Sequence, residues 1–316
     1  MNKLTFDITY SSDSSSKGER YSLTLKDVDG RDSVVLELNK EQFSLIESRR
    51  MRSFYVRCKK ELILQDIDDA ANYMELEAIA RKYYLCDACA FNDINLYGVK
   101  RMLKVIVDVL YKYPKLRSRL CFIGTHHEME KLIVQMEQGN VDALNKFNLQ
   151  YICTKENAEK LGGMVHKMLT DVIANHKQYI AMAICAFGLF DAVLLDKNDY
   201  NGYAYLKCIS QLRQSEAIGF HPKECYTPES VVYHELGHLL DEMCNFSEMK
   251  SFKEYHESKS AKEIKKGLST YALESRREFV AEAFAEFMCN PAPRKIANET
   301  CEMLNLAYLS STMCNG

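Results

Sequence analysis

The chain has 316 residues and a nearly balanced charge: 41 Lys and Arg against 44 Asp and Glu, a net charge of −3 with histidine neutral. So small an imbalance gives no electrostatic reason to expect nucleic acid or an acidic membrane surface as a partner, while 47% hydrophobic and 27% charged residues suit a folded globular chain. The longest apolar stretch, Tyr179 to Phe190, is shorter than the roughly 20 residues that a bilayer-spanning helix needs, so no membrane insertion is expected.

The opening MNKLTFDITY has no apolar core of the kind a signal peptide carries. A cytoplasmic location is therefore expected, with the 12 cysteines as free thiols. Residues 1–60 read as an N-terminal β-rich module. LTFDITY, YSLTLKDV and SVVLEL each alternate apolar and polar residues. SSDSSSKGE reads as a hairpin loop between the first two, and DVDGRDS as a tight turn. Arg49 to Lys60 holds six basic residues and reads as a solvated face, because no wider basic field supports it.

Residues 61–316 alternate helical patterns with short apolar runs and are expected to form the second domain. Ile67 to Tyr84 has helical spacing. Cys86 and Cys89 form a lone CxxC and read as structural thiols. Val99 to Tyr113 is an amphipathic helix stopped at Pro114. Leu120 to Gly124 reads as a buried strand, followed by a helix with Thr125 and Glu128 as a capping box. Ala158 to His176 is helical, with Gly162 and Gly163 as a weak point or break. Ile180 to Phe187 and Ala192 to Leu195 are strand candidates. His221, in the loop before the next helix, reads as structural or exposed rather than as a ligand. Ser247 to Leu268 is rich in Lys and Glu and reads as exposed, and Arg294 to Leu309 reads as a last helix.

The chemistry concentrates in Tyr233 to Asp241, YHELGHLLD, where His234, Glu235 and His238 form HExxH. Residues four apart on an α-helix are offset by roughly 40°, so the two imidazoles project from one face and can share one ion. Glu235 beside them is placed to take a proton from water without being a ligand itself. Thr227 and Pro228 are the expected helix start and Asn245 the stop. Val232, Leu236, Leu239, Leu240 and Met243 supply an apolar face.

Two histidines leave a metal ion short of a third protein ligand, and a carboxylate from a second helix is a common solution. Tyr271 to Asn290, YALESRREFVAEAFAEFMCN, reads as that helix. Glu278 and Glu282 stand one turn apart on it, so one carboxylate can ligate while the other accepts a ring N–H from a ligating imidazole. Glu274 and Glu286 are the other carboxylates in reach.

HELGHLLD together with STYALESRREFVAEAFAEF resembles the gluzincin metallopeptidases, and among them the anthrax lethal factor catalytic domain and related phage-associated zinc peptidases. Those proteins carry HExxHxxD, then a Tyr and, seven residues on, a Glu in an EFFAEAF-like helix. Val280 stands where they often have Phe. The resemblance implies an α+β, zincin-like fold: a mixed sheet, an active-site helix and a second metal-ligand helix. It implies His234, His238 and Glu278 as Zn2+ ligands, Glu235 as general base, Tyr271 as oxyanion donor, and Glu282 and Asp241 as supporting residues. The activity it implies is zinc-dependent hydrolysis of a protein or peptide substrate. The alternative is a phage-related structural or interaction protein that keeps a zinc site without significant catalysis.

Overall fold

A computed structural model describes residues 7–15, 18–26, 33–38, 60–92, 94–147, 154–175, 181–185, 191–196 and 203–313. Along the chain the elements are strands β1 (Asp7–Ser15), β2 (Gly18–Lys26) and β3 (Ser33–Leu38), then helices α1 (Lys60–Asp69) and α2 (Tyr73–Lys82), strand β4 (Ala88–Ala90) and helix α3 (Leu96–Lys112). Next come β5 (Phe122–Thr125), α4 (His126–Glu137), α5 (Val141–Lys146), α6 (Lys155–Asn175), β6 (Ala181–Ile184), β7 (Ala192–Leu195) and α7 (Tyr203–Ala217). The chain ends with α8 (Pro228–Cys244), α9 (Lys250–Glu257), α10 (Ala261–Gly267), α11 (Arg276–Cys289) and α12 (Lys295–Met313). The described residues thus form an α+β protein, mostly helical with short strands. No helix among them is long and apolar enough to cross a membrane.

The chain divides into two compact units: Met1–Asn92 with Leu110–Tyr179 and Ile184–Leu194, and Asp93–Val109 with Ile180–Ala183 and Leu195–Gly316. The expected boundary near residue 60 borders on residues 39–59, which lie outside the described residues, as do residues 27–32 of the expected DVDGRDS turn.

In the first unit, β1 and β2 pair antiparallel from Asp7↔Lys26 to Ser15↔Gly18, and β2 pairs antiparallel with β3. The expected SSDSSSKGE loop is therefore mostly strand. Ladder bonds are made by the backbone, so a polar run does not end pairing, and only two residues connect Ser15 to Gly18. β4, β5 and β7 lie side by side in that order, and β4 pairs parallel with β5. All residues of β5 and β7 are buried, the burial on both faces that gives short apolar runs in place of alternation. Beside them the Arg117 guanidinium meets Asp87 at 2.9 Å in a fully buried ion pair. Cys86 and Cys89 are free and buried, and the Cys86 thiol together with burial pushes the Cys89 thiol well up, which disfavours the nucleophilic thiolate.

Two helix boundaries depart from expectation. Ile67 to Tyr84 is two helices, because the Asn72 side chain accepts the Glu75 N–H at 3.0 Å and starts α2. α6 runs unbroken through Gly162 and Gly163. A side-chain carbon at Gly162 would lie 2.3 Å from the Glu137 backbone nitrogen, so glycine there admits the end of α4 rather than breaking the helix.

In the second unit α8 begins at Thr227 and Pro228 as expected, although the Thr227 side chain makes no capping bond. The Thr227 carbonyl instead accepts from the Ser230 hydroxyl at 2.6 Å. Asn245 ends α8 in the left-handed conformation, φ 48°. The expected helix over Tyr271 to Asn290 is shorter than predicted. Tyr271–Leu273 is a separate 3-10 turn, and α11 starts after Ser275, whose side chain accepts the Glu278 N–H at 3.1 Å. In the Lys/Glu-rich stretch between them, α9 and α10 bury only Phe252 and Ile264.

The C-terminal end of α11 is tied down by Glu286, 0% exposed, whose carboxylate receives the Arg294 guanidinium at 2.6 Å. Arg294→Ala should leave that buried charge without its partner and lower unfolding free energy by about 3–5 kcal/mol. Denaturant titration checks this, and a loss below about 1 kcal/mol would show that the pair does not anchor the helix.

Candidate metal centre

Every residue of the centre lies in the second unit. α8 and α11 cross closely where Gly237 meets Ala281. A side-chain carbon on Gly237 would lie 3.1 Å from the Ala281 Cα and 3.2 Å from the Phe284 Cβ. The small residues let two helix backbones approach, and one turn from the crossing the approach brings Glu278 to the two imidazoles. His234 Nε2 stands 3.1 Å from His238 Nε2, and Glu278 Oε2 stands 3.1 Å from the first and 3.3 Å from the second. Among the described residues, His234, His238 and Glu278 form the group whose ligand atoms converge in a way that could hold a metal ion.

The tautomer of His234 follows from its other nitrogen. Nδ1 lies 2.9 Å from Glu282 Oε1, and an ionised carboxylate only accepts, so a ring proton sits on Nδ1, and in the neutral ring Nε2 is then the nitrogen that carries a lone pair toward the triangle. Glu278 Oε2 is buried and receives a well-directed hydrogen bond from neither ring. With both rings neutral and their lone pairs turned inward, the three atoms would repel at this distance unless positive charge, a proton or an ion, lay among them. Ligands bound to a tetrahedral ion at about 2.0–2.1 Å stand about 3.3–3.4 Å apart, close to the three separations found. The donor set therefore fits a divalent cation.

The electrostatics point the same way. Burial alone would lower the His234 imidazole, but Glu278 and Glu282 beside it outweigh burial and raise it well above its usual range. Burial alone would raise the Glu278 carboxyl, but the two imidazoles hold it far below the usual carboxylate range. Glu282 is likewise opposed by burial, yet His221 and His234 bring it down to about 2. This is a field that attracts positive charge, as proton or as metal.

The remaining expected residues fall around this triangle. Glu282 is 1% exposed and also accepts from the Ser269 hydroxyl at 2.7 Å, so its orientation toward His234 is fixed from two sides. Glu235 points its Oε2 to the Ala183 backbone N–H in β6, at 2.6 Å. The Tyr271 ring lies 5.9 Å from the His234 ring. Burial first, then the charges of Glu278, Glu235 and Glu282, push its phenol well up, so it stays protonated at neutral pH and can donate. Asp241 accepts the Ser247 N–H at 2.6 Å and lies 3.5 Å from Arg277, positions that hold the chain as it leaves α8. Of the other carboxylates weighed, Glu286 is taken by Arg294.

Sequence reasoning did not assign Ser269, Ser275 or Gly237 a part in the site, and set His221 aside. Only Ser275 carries a local signal, as a capping residue three before Glu278. Comparison of the chain with protein-family models, with curated proteins and with solved structures finds no match.

Two outcomes are expected. Gly237→Val should force α8 and α11 apart, costing about 1–3 kcal/mol of stability and weakening metal binding, as measured by denaturation and chelator competition. Stripping metal with a chelator should lower the melting temperature, because a ligand at a hundred times its Kd contributes about 2.7 kcal/mol. An unchanged melting curve would contradict the site.

Proposed function

We propose that the chain is a zinc-dependent peptidase. The observation that supports this most is the convergence of two imidazole nitrogens and one buried carboxylate oxygen, with Glu235 on the same helix and a protonated phenol at the edge. Two histidines and one glutamate suit zinc and leave a coordination position open. The resemblance of HELGHLLD and EFVAEAF to the gluzincins supports the same reading.

Bound there, the ion would supply Lewis acidity, polarising a peptide carbonyl and acidifying a water. The protein's own groups do the rest. Glu235 takes the proton from the attacking water and passes it to the leaving amine. One of its oxygens accepts from Ala183, which orients the carboxylate and leaves the other oxygen for the water. The Tyr271 phenol donates to the oxyanion as charge develops on the former carbonyl oxygen. Glu282 holds His234 in the tautomer that ligates.

Glu235→Gln should keep zinc, because the residue is not a ligand, and should lower kcat/KM about a hundredfold to ten-thousandfold. His238→Ala or Glu278→Ala should lose zinc. A peptide-library cleavage assay with and without chelator, paired with metal analysis, checks all three. Intact zinc with no cleavage of any peptide would favour a structural or interaction protein that retains the site, and normal cleavage by Glu235→Gln would refute the role of that residue.

A further inference from the structure

We propose that His221 is a positioning residue of the metal centre, holding the Glu282 carboxylate that in turn orients His234. The inference rests on the metal-binding half of the reading above and not on peptidase activity.

Glu282 Oε1 serves two imidazoles at once. It lies 2.9 Å from His234 Nδ1 and 3.5 Å from His221 Nδ1. The other oxygen, Oε2, accepts from Ser269. A carboxylate that is 1% exposed has little water to replace a lost partner, and a buried charge short of a partner is costly to hold in place. His221 thus closes the third side of a cage whose purpose is to keep Oε1 aimed at His234.

The loop that carries His221 is built to hold it there. The Gly219 carbonyl accepts the Thr270 N–H at 2.9 Å and the Phe220 carbonyl accepts the Tyr271 N–H at 3.1 Å, so the loop is clipped to the segment that leads into α11. The His221 ring meets the Phe220 ring edge-on at 5.0 Å and the Tyr271 ring edge-on at 5.8 Å. Phe220 packs against Tyr271 at 5.4 Å. A loop histidine free in solvent would need none of these contacts. His221 is also not among the converging ligand atoms of the triangle. Its nitrogen faces the carboxylate, which makes it a support for a ligand and not a further ligand.

Two substitutions separate the nitrogen from the ring. His221→Asn keeps a donor near the position of Nδ1 and deletes the ring. His221→Phe keeps the aromatic contacts and deletes the nitrogen. The full-length chain is loaded with cobalt(II), a spectroscopic stand-in for zinc, after circular dichroism confirms folding. Affinity comes from competition with a chromophoric chelator, and coordination geometry from the visible absorption bands. The expected result is an affinity about tenfold lower and shifted bands for H221F, with H221N within about threefold of wild type. In a Glu282→Gln background, H221F should cause no further loss, because the route through the carboxylate is already cut. Unchanged affinity and bands in H221F would overturn the inference, and so would a further full tenfold loss in the Glu282→Gln background. Failure of the wild-type chain to bind cobalt would overturn the metal centre itself, a result distinct from either.

Discussion

Two imidazole nitrogens and one carboxylate oxygen converge beside the point where two helices cross closely, in a group that could hold a metal ion. Gly237 and Ala281 permit the approach of α8 and α11, and the approach places His234 Nε2, His238 Nε2 and Glu278 Oε2 within 3.1–3.3 Å of one another. Helix packing alone gives no reason to bring these atoms together. A buried carboxylate costs several kcal/mol unless positive charge lies beside it, and the two imidazoles supply that charge only when they are protonated. Protons on the rings or a divalent ion in the centre would supply that charge, so the packing of the helices and the chemistry of the site are one constraint.

Two other buried carboxylates in this unit show how the protein treats an acid to which no chemistry is assigned. Glu286 is met by Arg294, and Asp241 by a backbone N–H and the nearby Arg277. Each has a cation or a strong donor supplied by the chain. Glu282 is intermediate: Ser269 and two imidazoles satisfy it, and one of those imidazoles belongs to the triangle. Glu278 faces, among the described residues, the two rings that are themselves candidate ligands. This gradation, from closed ion pair to open triangle, marks where the fold leaves room for an external charge.

Much of this was legible in the sequence, and the parts that were share a physical reason. HExxH, Asn245 as a helix stop, Thr125 as a cap and the apolar runs of β5 and β7 are local patterns, in which one element's spacing or end group carries the signal. What escaped was set by contacts between distant residues. Gly162 read as a weak point or break in α6 and proved to be a contact surface for α4. The Tyr271 to Asn290 pattern looked continuous, yet Ser275 restarts the helix and leaves Tyr271 in a separate turn beside His234. The hairpin of β1 and β2 extends through a serine run because main-chain pairing ignores side-chain polarity. His221 and Ser269 carry no periodicity at all, and their partner Glu282 lies 61 and 13 residues away. Only the folded chain reveals the cage they form.

The most direct test is a crystal structure of the zinc-loaded protein with anomalous scattering recorded at the zinc edge. The expected result is a single strong peak among His234 Nε2, His238 Nε2 and Glu278 Oε2, with bonds of about 2.0–2.2 Å. A peak elsewhere, or a Glu278 carboxylate turned away from an ion held by other groups, would contradict the account.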